Sequence, residues 1–130
     1  MLFRSGSAEL HYLMGLAHLG ERQWQAAVDS FVATLQLEAR FRYGDPYLRM
    51  ADALVRLGRW KDAEETLDCF LGINGSSLEG WVKLAAVRKH DPARGARASA
   101  ATRREARAVY AQLPAFQRRH QIGWYLRTWF

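Results

Sequence analysis

A set of residues recurs in this chain at a spacing of 36 positions, and this repeat constrains the fold more than any other feature. Trp24 and Trp60 show it most plainly, since each is followed three positions later by an alanine. The other matched pairs are Met14 and Met50, Ala27 and Ala63, Phe31 and Leu67, and Leu35 and Leu71. A fixed period of this length is typical of proteins built from stacked copies of one supersecondary unit.

The hydrophobic spacing within each repeat predicts helices and no strands. The predicted helices cover residues 8–20, 24–40, 45–57, 60–71, 78–89, 99–113 and 114–130. In the first helix, the apolar positions at helical spacing are Leu10, Met14 and Ala17. The connections are short, so consecutive helices are expected to be antiparallel neighbours.

Capping residues indicate where several of these helices begin and end. Asp45 can cap the third helix, and Pro46 suits its first position, where no backbone N–H is needed. Gly72 suits a left-handed helix end. Ser76 and Glu79 form the pattern of a capping box, which predicts that the fifth helix begins there.

The matched positions within each repeat resemble the tetratricopeptide repeat (TPR), a helix–turn–helix unit of about 34 residues. In residues 8–41 and 44–77 they are His11, Met14, Gly15, His18, Ala27, Phe31, Tyr47, Met50, Ala51, Leu54, Ala63 and Leu67. Residues 78–113 match more loosely, through Trp81, Leu84, Ala85, Arg88, Ala106 and Tyr110. There the turn is expected to be nine residues longer, between Asp91 and Ser99.

The resemblance implies an all-α fold: a right-handed α-solenoid of about three antiparallel helix pairs plus a C-terminal capping helix at 114–130. Phe116, Ile122, Leu126 and Trp129 fall on one apolar face of this cap. The apolar end at Trp129 and Phe130 is expected either to pack back on the last repeat or to mark a fragment that stops early. We interpret the chain as a fragment of a bacterial TPR protein, with the TPR-like domain at 6–130. Residues 1–5 are expected to be a non-native leader, because their codons would resemble a sequencing adapter.

The resemblance also implies a non-catalytic scaffold that binds a protein or peptide segment in a concave groove lined by the first helix of each repeat. The predicted groove residues are Tyr12, Leu16, Leu19, Leu48, Arg49, Asp52, Arg56, Val82, Lys83 and Lys89. They suit a peptide with an apolar anchor and a following acidic group. Tyr12 and Leu16 stand where the chaperone-tail subclass has its Lys and Asn carboxylate clamp, so chaperone-tail binding is not predicted. An alternative is that Tyr12, Leu16 and Leu19 pack against an upstream helix.

Charge is distributed unevenly along the chain. Residues 1–87 carry a net charge of −2 and residues 88–130 a net charge of +8. The basic patch of the C-terminal third comprises Arg94, Arg97, Arg103, Arg104, Arg107, Arg118 and Arg119, with Arg127 beyond it. It is interpreted as a solvated basic surface, with an acidic protein, nucleic acid or an anionic membrane as alternative partners. Self-association through the ends of the stack is a further alternative.

No catalytic or metal-binding pattern stands out. His11 and His18 fall on two aromatic positions of the TPR pattern and no third ligand is spaced to join them, so packing explains both. Cys69 has no neighbouring base and is expected to be passive. The chain is therefore predicted not to be an enzyme and to need no cofactor. A cytoplasmic localisation is favoured, although the chain itself does not establish it.

Overall fold

The computed structural model describes residues 7–130, and within this range the chain forms seven α-helices and no strand. They are α1 (Ala8–Gly20), α2 (Trp24–Leu37), α3 (Asp45–Arg56), α4 (Trp60–Ile73), α5 (Leu78–Arg88), α6 (Gly95–Ala111) and α7 (Ala115–Arg127). The all-α prediction is confirmed. The expected leader at residues 1–5 lies outside the described residues.

The helices form two compact units, which divide between Ile73 and Asn74. In the first unit, α1 packs with α2, α2 with α3, and α3 with α4. The repeated positions form its core, because Ala27 and Ala63 are fully buried, and so are Phe31 and Leu67. The small side chains let two helices approach closely and the large ones fill the space beside them. The prediction that these pairs are equivalent is confirmed.

The face that α1 buries differs from the predicted one. Met14 and Ala17 are exposed, whereas Tyr12 and Gly15 are buried. Tyr12 lies 6.0 Å from Phe31 and 5.2 Å from Phe41, measured between ring centroids. Gly15 is needed because an added Cβ would meet the Phe31 ring at 2.5 Å. The expected core role of Met14 is therefore wrong, since α2 and α3 pack on the other side of the helix.

The end of α2 and the start of α3 also differ from the predictions. α2 ends at Leu37, and a short 3₁₀ turn over Phe41–Gly44 follows it. Within that turn Arg42 and Tyr43 have φ angles of 46° and 56°, and Gly44 has a φ of 85°. Gly44, rather than Asp45, is the N-cap of α3. This leaves the Asp45 carboxylate available to other helices.

Two further predictions of helix ends are wrong. Gly72 lies inside α4, which continues to Ile73, and it does not have a left-handed φ. The N-cap of α5 is Ser77, whose hydroxyl accepts a hydrogen bond from the Gly80 N–H at 3.3 Å. Ser76 bonds to the Asn74 side chain instead.

In the second unit, α5 packs against α6 and α7, and α6 packs against α7. The expected long turn between α5 and α6 is wrong, because α6 begins at Gly95 and is 17 residues long. A Cβ at position 95 would meet the Lys89 carbonyl oxygen at 2.4 Å, so glycine allows the close approach there. Arg88, which replaces an aromatic residue of the repeat pattern, donates a 2.8 Å hydrogen bond to the buried Thr102 hydroxyl.

α7 packs on the rest of the second unit through its polar and aromatic side. The Gln121 amide bonds to the backbone at the start of α5, with 2.6 Å to Leu78 N and 2.9 Å to Ser76 O. Tyr125 stacks on Tyr110 at 4.0 Å, and Thr128 is fully buried. The apolar face of this helix, by contrast, is exposed to solvent.

Candidate partner-binding surfaces

Two side-chain contacts connect α1 to the start of α3 and to the 3₁₀ turn before it. The Tyr12 hydroxyl donates a 2.5 Å hydrogen bond to Asp45 Oδ2. One turn earlier on α1, Glu9 forms a 3.0 Å ion pair with Arg42, whose guanidinium also lies 4.9 Å from the centre of the Tyr12 ring. These contacts fix the α1–α3 face, the solvent-facing surface that carries Leu16, Arg49 and Asp52.

Arg49 lies between two carboxylates on α3. Its guanidinium is 3.5 Å from Asp45 and 3.8 Å from Asp52. Asp45 is thereby bonded by a hydroxyl from α1 and by a guanidinium from its own helix. Burial, followed by the hydrogen bond to Asp45, raises the pKa of the Tyr12 hydroxyl to about 12. Tyr12 is therefore neutral at ordinary pH and acts as a hydrogen-bond donor.

The seven predicted groove residues of the first unit do not all face solvent. Tyr12 and Leu48 are buried, so neither offers a ligand a sizeable side-chain surface. Leu16 is exposed, and Leu19, Arg49 and Asp52 are partly exposed. The Arg56 guanidinium lies over the Trp24 ring at 5.5 Å, so it is directed to the start of α2. The accessible set is thus smaller than the predicted one.

The three predicted groove residues of the second unit lie on α5 or just beyond it. Val82 is partly exposed and Lys89 is exposed. Lys83 forms a 2.8 Å ion pair with Glu79, and its ammonium lies 5.9 Å from the centre of the Trp124 ring on α7. The Lys83 charge therefore contributes to packing within this unit.

The structure separates the predicted basic patch into two classes of arginine. Three of its members interact with their own unit. Arg103 donates to the Ser99 hydroxyl, and Arg107 donates to the Thr128 carbonyl oxygen while lying 3.9 Å from the centre of the Trp129 ring. Arg94 pairs with Asp91 at 3.2 Å. The other four are exposed, namely Arg97, Arg104, Arg118 and Arg119.

Sequence reasoning missed several residues that organise these surfaces. Asp45 was interpreted only as a cap, yet it connects α1 and α3. The missed signal is a spacing: Glu9 and Arg42, like Tyr12 and Asp45, are 33 positions apart, which is close to one repeat. Gln121 was missed altogether, because its partners lie 43 and 45 positions away and no periodicity relates them.

The described residues show neither a metal-binding cluster nor a membrane-spanning helix. No group of three or more His, Cys, Asp or Glu side chains within 7–130 is placed to hold a metal ion. Over the same stretch of chain, no helix combines the length and hydrophobicity that a membrane crossing requires.

Solved structures with a similar fold come from a plant and a yeast. The TPR domain of Arabidopsis OM64 has 20% identity and a TM-score of 0.71, over 82% of this chain and 85% of that chain. The TPR2B domain of yeast Sti1, solved in complex with pHsp70, has 16% identity and a TM-score of 0.71, over 93% and 94%. The TPR2AB domain of Sti1, in complex with pHSP90, has 16% identity and a TM-score of 0.75.

The last of these matches covers 98% of this chain and 48% of the Sti1 chain. No protein-family model and no curated protein sequence matches the chain. At these identities the similarity concerns the fold alone. Together with the seven helices and the repeated core positions, it shows that this chain has the all-helical fold of TPR domains.

Proposed function

We propose that the chain is a non-catalytic interaction module that binds a peptide or protein segment on the α1–α3 face of its first unit. The fold supports this, because two of the similar structures are Sti1 domains in complex with pHsp70 or pHSP90. The observation that carries the proposal is that Leu16 is exposed one turn after Tyr12, whose hydroxyl bonds to Asp45, while Arg49 pairs with Asp45 and Asp52.

The side chains of Asp45 and Arg49 are held in fixed positions, and this is important for affinity. Asp45 is held by the Tyr12 hydroxyl, and Arg49 is held by two carboxylates. Side chains that are already fixed lose less conformational entropy when a ligand binds. An apolar side chain from the ligand would cover Leu16, and backbone N–H groups on either side of it would donate to Asp52.

The charge of the ligand follows from the same contacts. Two carboxylates, Asp45 and Asp52, offset the charge of Arg49, and Glu9 offsets that of Arg42. An acidic group next to the apolar anchor of the ligand would therefore add little binding affinity in the first unit. We also do not extend the pHsp70 or pHSP90 binding of Sti1 to this chain. Tyr12 is buried and bonded to Asp45, so it supplies no cation for a ligand carboxylate.

The test is selection from a random peptide library displayed on phage, with the purified chain as bait. We expect enriched peptides to share an apolar residue and to lose about tenfold or more in affinity against Leu16→Glu, because an apolar contact is lost and a charge is introduced. The matched control is Val32→Glu on α2, since Val32 and Leu16 are 38% and 36% exposed. Equal losses in the two variants, or no enriched peptide, would contradict the proposal.

A further inference from the structure

The outer side of α7 and the residues just after it carry large apolar side chains that are exposed to solvent. Phe116, Ile122, Leu126 and Trp129 are 55%, 45%, 54% and 61% exposed. Ile122, Leu126 and Trp129 follow each other by four and three positions, so they form one row along the helix. A contiguous apolar surface of this kind on a folded domain usually marks a binding site.

This row is exposed because the opposite side of α7 makes the packing contacts. Gln121, Tyr125 and Thr128 all face α5 or α6. The orientation is therefore fixed by hydrogen bonds and stacking, and the helix cannot turn the apolar row inward without breaking them. Trp129 is further held in place by Arg107, whose guanidinium stacks on the ring.

The charged side chains of α7 itself are all positive. Arg118, Arg119 and Arg127 lie on α7, and residues 106–130 contain no acidic side chain. Arg119 falls within the row, three positions before Ile122, while the Arg127 guanidinium lies 4.4 Å from the centre of the Trp124 ring. No hydrogen bond or ion pair within residues 7–130 engages the Arg118 or Arg119 guanidinium. A partner that matches this surface must carry negative charges next to an apolar region.

A recess of about 350 Å³ lies beside the row, between α6 and α7. It is lined by Tyr110, Ala115, Arg118, Arg119 and Ile122. Two guanidinium groups next to apolar walls suit a phosphate group that is attached to a hydrocarbon chain, since arginine binds phosphate well and its stem tolerates apolar surroundings.

We propose that the outer side of α7 is an interfacial helix that lies on an anionic phospholipid bilayer. The apolar row would enter the upper part of the acyl region, and the arginines would contact lipid phosphates. A protruding row on a single helix fits a bilayer better than an acidic partner helix, which needs a groove to lie in. At 13 residues, α7 is too short to cross a bilayer, so the helix lies in the plane of the membrane surface.

The experiment is co-sedimentation of the full chain with vesicles of phosphatidylcholine alone or mixed equally with phosphatidylglycerol. We expect binding only to the mixed vesicles, and weaker binding as salt is raised. Leu126→Asp should lower the partition coefficient about tenfold or more, because an apolar contact is replaced by a charge. The matched control is Leu13→Asp on α1, which makes the same change at a residue that is 48% exposed.

A second pair of variants tests the role of charge. Arg119→Gln should lower the partition coefficient about fivefold, whereas Arg40→Gln, with the same change in net charge, should have a much smaller effect. Circular dichroism and thermal unfolding check that each variant folds. Glycerol phosphate should not compete, because it lacks the acyl chains.

Three outcomes would overturn the proposal: no binding to the mixed vesicles, equal losses in Leu126→Asp and Leu13→Asp, or binding of an acidic peptide or DNA through Arg119 without vesicle binding. The proposal is independent of the peptide site on the α1–α3 face. Leu16→Glu should leave vesicle binding at least largely intact, so either proposal can fail without the other.

Discussion

The Tyr12 hydroxyl donates a 2.5 Å hydrogen bond to the carboxylate of Asp45, and this contact connects the first helices of two successive repeats. It places an aromatic ring in the core, against Phe31 and Phe41, with its hydroxyl group at the edge of the α1–α3 face. The same hydrogen bond orders Asp45, which in turn positions Arg49. Tyr12 therefore contributes both to the packing of the first unit and to the fixed positions of Asp45 and Arg49 on its proposed binding surface.

The first prediction concerns the ionisation of Tyr12. Burial and the bond to Asp45 raise its pKa from 10.0 to about 12, so the folded state holds this proton more tightly than the unfolded state. Its contribution to stability is therefore complete below about pH 10 and is lost as pH rises towards 12. In an absorbance titration of tyrosinate, one of the five tyrosines should ionise near pH 12, and this step should be missing in Tyr12→Phe.

At neutral pH, Tyr12→Phe should lower the free energy of unfolding by about 0.5–1.5 kcal/mol, because one largely buried hydrogen bond is lost. Chemical denaturation measures this difference. Tyr43→Phe is the control, since Tyr43 is exposed and should show no loss. A Tyr12→Phe variant as stable as the wild type would mean that the hydrogen bond to Asp45 contributes nothing to the fold.

The second prediction concerns Gly15, where α1 contacts the Phe31 ring. An added Cβ would lie 2.5 Å from this fully buried side chain, so Gly15→Ala should destabilise the protein by about 1–3 kcal/mol despite the better helix propensity of alanine. Gly72→Ala in α4 is the matched control. Apart from its chain neighbours and the nearby backbone of α4, no atom lies within 4 Å of its Cβ position, so that variant should be neutral or up to about 1 kcal/mol more stable. Equal effects in the two variants would contradict the packing described for Gly15.

The third prediction tests how α7 is attached. Gln121→Ala removes two hydrogen bonds to the start of α5 and should lower the free energy of unfolding by about 1–3 kcal/mol. Amide hydrogen exchange should then show faster exchange in α7 than in α6. Gln112→Ala, at an exposed position after α6, should change neither measurement. If α7 stays equally protected in Gln121→Ala, its attachment depends on the Tyr110–Tyr125 stack rather than on this amide.

The fourth prediction concerns Asp91, in the turn before α6. Hydrogen bonds from the Ala93 and Arg94 backbone N–H groups hold the pKa of the Asp91 carboxyl below 3.8. Because the pKa is lowered in the folded state, the stabilisation is present above pH 3.8 and is lost as pH falls through the folded pKa. An NMR titration of the Asp91 carboxyl carbon should give a midpoint below 3.8. A midpoint at or above this value would show that the two N–H groups do not bind the carboxylate.

The sequence by itself determined the helical class, the approximate positions of the helices and the core positions that repeat between α1–α2 and α3–α4. These features could be predicted because a helix pair uses the same small and large residues wherever it recurs, as at Ala27 and Ala63. The 33-residue spacing of Tyr12 and Asp45 was also present in the sequence, although its meaning is clear only once both helices are in place.

Only the tertiary structure decided which faces of α1 and α7 are buried. Both helices have apolar residues on more than one side, so periodicity alone cannot say which side meets a neighbour. For α1 the outcome is set by the Tyr12 hydrogen bond to α3, and for α7 by the Gln121 amide at the start of α5. Backbone N–H groups at a helix start need partners, and a partner 43 positions away leaves no local signal in the sequence.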